Sequence, residues 1–330
     1  MRIAQLGAGR IGAMHARILA RLLEPGDLTV ADLDHQRAQS VAADVGAEPA
    51  DLESAIAGAD ALVIAASSTA HADLIRAGLQ RRIPIFCEKP LATGLEETYR
   101  LTEEIEASGV RFQLGFQRRF DDGYREARRL VDDGSLGTLY VLRMAGHDPA
   151  PPHESYIPQS GGIFNDFSVH DFDVARWLTG QEFEEVYASG AVLGFPMFAK
   201  YDDVDTAVAT FRLTGGTLAI LSTSRHDPLG YDIRTELFGA GDSVSVGLGP
   251  HTPMRSVEPG VAPPAGPAWK MFMDRFADAY ENELRAFLRV ARGEEESACT
   301  ARDGLEAVRV AVAATRSLRE HRPVRVAEVT

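Results

Sequence analysis

The sequence predicts an α/β chain of two domains: a parallel sheet covered on both faces by helices over residues 1–119, then an α+β domain with an open, mostly antiparallel sheet over residues 120–330. Three observations predict it. Short apolar runs alternate with helix-spaced segments through the first third of the chain. After Phe120 that rhythm gives way to runs in which every second residue is apolar. The length of 330 residues, 45% hydrophobic and 25% charged, supplies two cores at roughly 100–200 residues per domain.

In the first domain, residues 2–6, 28–31, 61–65, 83–87 and 111–114 read as buried strands. Residues 11–23, 36–45, 71–79 and 95–107 carry apolar side chains at helical spacing. Strands alternating with helices of this length imply right-handed crossovers and therefore a parallel sheet. In the second domain a helix at 124–132 leads into a strand at 138–144, a loop with proline and histidine at 146–162, and a helix at 165–178. Runs at 186–193, 206–212, 217–224, 233–238 and 243–246 alternate as half-buried antiparallel strands. A proline-rich loop at 250–267 precedes helices at 270–292 and 301–320, the last a candidate to pack on the first domain.

Composition excludes several classes of function. A formal net charge of −14 disfavours binding to a nucleic-acid backbone. No run of about 18 apolar residues is present to span a membrane. A strand-like run begins at Arg2, leaving no room for a signal peptide, and Cys87 and Cys299 make no disulfide framework. A reduced, cytoplasmic setting is expected. Of the 34 basic residues only Lys89, Lys200 and Lys270 are lysines.

Gly7-Ala8-Gly9-Arg10-Ile11-Gly12 follows the first strand and opens a helix. In that context the first glycine permits a tight turn, the second lets a pyrophosphate approach the backbone, and the third allows close helix–strand packing. The helix N-terminus supplies free N–H groups. Asp32, 20 residues past Gly12, closes the second strand, where a carboxylate accepts the adenosine ribose hydroxyls. Its charge would repel a 2′-phosphate, which favours NAD over NADP. Arg37 is near enough in sequence to serve a 2′-phosphate, but a helix-surface role is the simpler one.

Cys87-Glu88-Lys89-Pro90 lies at the carboxyl end of the fourth strand, the ligand-binding edge of such sheets. Lys89 is either a solvated turn lysine or a functional one. The arginine bias of the chain and the restriction that Pro90 imposes favour the second reading. Asp166 and His170 are four residues apart on one helix and share a face. Such a pair can fix the imidazole tautomer for general-base work. The alternatives are a helix N-terminal acid, a buried histidine satisfied by a neighbour, or a metal site with Asp173. The last lacks an HExxH motif, a cysteine pair or a second nearby histidine.

Together the segments 7–19 (GAGRIGAMHARIL), 30–34 (VADLD), 87–92 (CEKPLA), 115–121 (GFQRRFD) and 161–173 (GGIFNDFSVHDFD) resemble the Gfo/Idh/MocA oxidoreductase family over essentially the whole chain. HDPAPP at 147–152 and GYDIRTE at 230–236 are most similar to its inositol 2-dehydrogenase branch. The resemblance implies a Rossmann domain that binds NAD, with Gly7, Gly9, Arg10, Ile11, Gly12, Asp32, Ser67, Thr69, His71, Glu88 and Lys89 around the cofactor. It implies Lys89, Asp166 and His170 as catalytic residues: His170 the general base, Asp166 its support, Lys89 the cation at the reacting oxygen. Arg119, His153, Asp166, His170 and Tyr231 are the implied contacts to a polyol or sugar substrate. It also implies a homo-oligomer, tetramer or dimer, associating through the open sheet face. Gln117 and Asn165 depart from the branch pattern. Relatives acting on anhydrosugars or aldoses share the three catalytic residues, and a non-catalytic NAD-binding regulator is disfavoured because all three are retained.

Overall fold

A computed structural model describes residues 1–330. By internal contacts the chain divides into two units. The first comprises residues 1–120 and 278–305, and the second residues 121–277 and 306–330. A single cut at 119/120 therefore misses a return segment, because the helix-spaced pattern of 278–292 does not say which core it completes.

The first unit is built from β1 (Ile3–Leu6), α1 (Arg10–Leu22), β2 (Leu28–Ala31), α2 (His35–Val45), β3 (Glu48–Ala50), α3 (Leu52–Gly58), β4 (Ala61–Ile64), α4 (His71–Arg81), β5 (Ile85–Glu88), α5 (Leu95–Ser108) and β6 (Phe112–Gly115). The six strands are all parallel, in the order β3-β2-β1-β4-β5-β6. β1 and β4 are wholly buried, as strands covered on both faces must be. The order reverses between β1 and β4, which opens a crevice at their carboxyl ends. β3 and α3 have no counterpart in the sequence reading: β3 is a three-residue edge strand containing Pro49, too short and polar for an apolar run.

The second unit holds α6 (Asp122–Asp132), β7 (Leu139–His147), α7 (Ile157–Ser160), a π-helical turn at Phe164–Ser168 running into α8 (Val169–Thr179), β8 (Phe183–Ala191), β9 (Thr206–Leu213), β10 (Leu218–Ser224), β11 (Asp232–Gly239), β12 (Ser243–Val246) and α9 (Phe272–Arg275). α10 (Ala277–Arg292) falls almost wholly in the first unit. α11 (Ala301–Glu320) starts there and continues in the second, followed by β13 (Val324–Arg325). The sheet order is β12-β11-β7-β10-β9-β8-β13. Its pairings are antiparallel except β7 with β10, which run parallel. Residue alternation is the same in both arrangements, so the sequence could not reveal that exception.

One face of this sheet buries Leu142, Met144, Ala209, Phe211, Ala219 and Leu221. The other leaves Tyr187, Val208, Leu218 and Ile220 exposed. Tyr187, Thr210, Ile220, Arg143 and Glu236 stand in register as one row across five strands, and Arg143 pairs with Glu236 at 3.0 Å.

Candidate active site

In the first unit the residues predicted to bind a cofactor gather at the crevice between β1 and β4. Gly7 has φ +105°, and a Cβ there would meet the backbone of Ala65 and Ala66 at 2.5 Å. A Cβ on Gly12 would strike the Gly7 carbonyl, whereas one on Gly9 would meet nothing within 4 Å. Two glycines thus serve the fold, and the third leaves open space above the loop. The buried Gln5 amide donates to the carbonyls of Gly7 (3.2 Å) and Gly12 and holds the loop from below. Arg10 and Ile11 begin α1, whose first turn has no side-chain cap and no acidic residue. Its N–H groups and positive end remain for an anion. Asp32 accepts from the N–H groups of Ala8 (2.7 Å) and Asp34 (2.8 Å), and each oxygen retains a lone pair for a ribose hydroxyl. Arg37 lies on the surface of α2, 3.8 Å from Asp32 and 3.3 Å from Asp34. Open space at Gly9, an uncapped helix end and the acid after β2 together fit an NAD pyrophosphate and ribose.

Ser67 and Thr69 follow β4 with their hydroxyls exposed and 3.1 Å apart. Lys89 follows β5 and is half-buried beside Pro90, the Lys89–Pro90 peptide being cis. Two buried histidines brace this segment. His15, on the inner face of α1, donates from Nε2 to Glu88 Oε1 at 2.6 Å, its ring edge-on to Phe86 and Tyr280. His71 sits 2.7 Å from the Pro90 carbonyl through Nδ1 and 3.2 Å from the Ala66 carbonyl through Nε2. The His71 ring is buried, and both nitrogens face protein carbonyls. Burial pushes the His71 imidazole below the ordinary histidine range, so it is a neutral brace. Cys87 and Cys299 are free and buried, and burial pushes the Cys87 thiol up, away from reactivity.

Arg119, an expected substrate contact, follows β6 in the first unit. It is buried, donates from Nη1 to the Ala298 carbonyl at 2.7 Å and pairs with Asp303 at 3.0 Å. Both partners lie in the first unit.

In the second unit the segment 161–173 carries Asp166 and His170, the pair expected to do acid–base work. Gly161 and Gly162 both have positive φ, and Asp203 Oδ1 accepts from the Ile163 N–H at 3.1 Å, fixing where the helical segment begins. Asp166 lies in the π-helical turn and His170 in the first turn of α8. A π-turn is the wider helical variant found often at functional sites. Asp166 Oδ1 accepts from the Tyr156 hydroxyl at 2.8 Å, and Oδ2 pairs with Arg225 at 2.9 Å. Neither partner was singled out by the sequence: Tyr156 lies in the proline loop and Arg225 at the end of a strand 59 positions away. His153 is exposed and caps a short 3-10 turn through Ser155. Tyr231 is buried at the start of β11, its N–H on the Trp269 carbonyl and its ring edge-on to Phe276. No group of histidine, cysteine and acidic residues is arranged to hold a metal ion, and no helix is long and apolar enough to cross a membrane.

Comparison with known proteins places this chain. Residues 1–116 match the model of an oxidoreductase family with an NAD-binding Rossmann fold, and residues 124–245 that of the GFO/IDH/MocA C-terminal domain. A myo-inositol dehydrogenase of Streptomyces leeuwenhoekii is 40% identical over 96% of this chain and 97% of its own length. The myo-inositol 2-dehydrogenase of Thermotoga maritima is 36% identical over 100% and 99%. The crystal structure of scyllo-inositol dehydrogenase from Lactobacillus casei with bound NAD(H) and scyllo-inositol superposes with a TM-score of 0.88 at 29% identity, covering 99% of both chains.

Proposed function

The chain belongs to the Gfo/Idh/MocA oxidoreductase family as an NAD-dependent dehydrogenase acting on CH–OH donors, and on that premise we propose that it oxidises one ring hydroxyl of a cyclitol, an inositol first, to the ketone. The observation that carries this reading is the retention of Lys89, Asp166 and His170 in a chain whose relatives are named for inositol oxidation over their full length. NAD, when bound, supplies the acceptor for the hydride leaving the ring carbon. His170 takes the hydroxyl proton, for which an imidazole is suited near neutral pH. Asp166 orients that ring and stabilises the imidazolium that forms. The Lys89 ammonium stabilises negative charge as it builds on the oxygen. Glu88, held by His15, and Asp32 serve the cofactor riboses, Asp32 favouring NAD over NADP.

The row from Tyr187 to Glu236 gives the outer sheet face a self-complementary mixture of apolar and paired charged groups, and we assign it to homo-oligomer formation. Ile220→Glu should lower the mass measured by light scattering, and an unchanged mass would remove this face from assembly.

The test of function is NADH production across inositol isomers, levoglucosan and aldoses. Turnover of an inositol with the highest kcat/KM supports the reading. A preference for levoglucosan or an aldose would move the substrate while leaving the acid–base assignment intact, and no turnover of any polyol would end it.

A further inference from the structure

β7 and β10 are the parallel pair of the second sheet, so their carboxyl ends lie side by side, with Ser224 opposite His147. The next residue of each strand carries a charge. Asp148 donates its N–H to the Ser224 carbonyl (3.0 Å) and Arg225 its N–H to the Asp205 carbonyl (2.8 Å), so both are fixed by backbone. Arg225 is 2% exposed, its guanidinium 5.7 Å from the Phe167 ring centre. Nη1 is 2.9 Å from Asp166 Oδ2 and 3.5 Å from Asp148 Oδ2, while Nε and Nη2 are buried with no hydrogen-bond partner.

Burying a guanidinium is costly unless its charge is paired. This one directs its short contact to Asp166. Burial opposes its charge, but Asp166, Asp148 and Asp203 more than offset that and hold it cationic.

We propose that Arg225 is a positioning residue for the acid–base site: together with the Tyr156 hydroxyl on Oδ1, it holds the Asp166 carboxylate in the one orientation that serves His170. The proposal rests on the assignment of Asp166 and His170 above. The contact is made by a planar donor on a fixed strand end, so its loss releases the carboxylate without touching the base or the cofactor loop.

The test follows the His170 imidazole by NMR titration in the full-length protein, which needs no substrate. Asp166→Asn in the otherwise wild-type chain should lower the His170 midpoint by several tenths of a pH unit or more, because an anion beside an imidazole favours its charged form. In an Arg225→Met background the same substitution should move it by less than half as much. Equal shifts in both backgrounds would overturn the proposal. No shift in the wild-type background would instead overturn the Asp166–His170 assignment itself, and the proposal with it. With myo-inositol and NAD, Arg225→Met should lower kcat on the order of tenfold to a hundredfold at unchanged KM for NAD. Arg225→Lys should restore part of that loss, and Arg225→Gln carries the titration experiment if the methionine variant does not fold. Losses of kcat that simply multiply in the Arg225→Met, Asp166→Asn double variant would mark Arg225 as structural only.

Discussion

The residues proposed for cofactor binding in the first unit and those proposed for acid–base chemistry in the second are held by different materials. In the first, the backbone does most of the work: glycines shape a loop, a helix offers its N–H groups, and strand ends deliver Asp32 and Lys89 to one edge. In the second, a few charged side chains from distant segments meet: Asp166 from the π-turn, Arg225 from the end of β10, Tyr156 from the proline loop. A backbone site is fixed by chain geometry and tolerates change at most of its surface. A side-chain site depends on each partner, and losing one leaves another buried without compensation.

The largest effect expected on either side is chemical. Lys89→Ala should cut turnover on the order of 10²–10⁴-fold while leaving NADH binding, followed by fluorescence, within a few-fold of wild type. Unchanged turnover would remove the lysine from the reaction and leave the first unit as a cofactor platform only.

The glycine loop offers a sharper contrast. Gly12→Ala should destabilise the fold by about 1–3 kcal/mol, because the added methyl meets the Gly7 carbonyl. Gly9→Ala should leave thermal stability near wild type, since its methyl enters open space, yet weaken NAD binding about tenfold or more. If Gly9→Ala binds NAD normally, the space above the loop is not where the pyrophosphate lies.

A smaller change is expected at Asp32. Asp32→Ser should lower the preference for NAD over NADP by removing a negative charge from the site of the 2′-phosphate. An unaltered ratio of kcat/KM values would assign Asp32 to bracing the Ala8 N–H alone.

The smallest concerns the His71 brace. Its folded-state pKa lies below the unfolded value near 6.5, so the unfolded chain binds more protons as pH falls through that range. Stability should therefore drop with pH below about 6.5, by at most about 1.4 kcal/mol per unit from this residue. His71→Asn should flatten that part of the melting-temperature profile, and an identical slope in the variant would contradict the neutral brace.

The same contrast explains what the sequence could disclose. The parallel sheet and glycine loop were legible because each element carries its own local pattern: apolar runs, helical spacing, glycines between them. The shared helical segment of Asp166 and His170 was legible for the same reason, the two being four residues apart. Arg225 and Tyr156 were not, because an arginine after a strand and a tyrosine in a loop have no pattern until tertiary structure brings them to one carboxylate. The return of 278–305 to the first unit was hidden likewise, as were the edge strand β3 and the direction of β10. His71 and Arg119 carry a further layer the sequence does not show: their burial and their protein partners, the Pro90 carbonyl and Asp303, come from segments distant in the chain.

In the proposed reaction Lys89, Asp166 and His170 serve hydride transfer from a ring carbinol to NAD. Myo-inositol deuterated at the carbinol carbon tests it directly, with deuterium in the reduced cofactor measured by mass spectrometry. Deuterium should pass to NAD in the wild-type enzyme, and at least about a hundredfold more slowly in His170→Ala at unchanged NAD affinity. Reduced cofactor without deuterium, or transfer at the wild-type rate in His170→Ala, would contradict it.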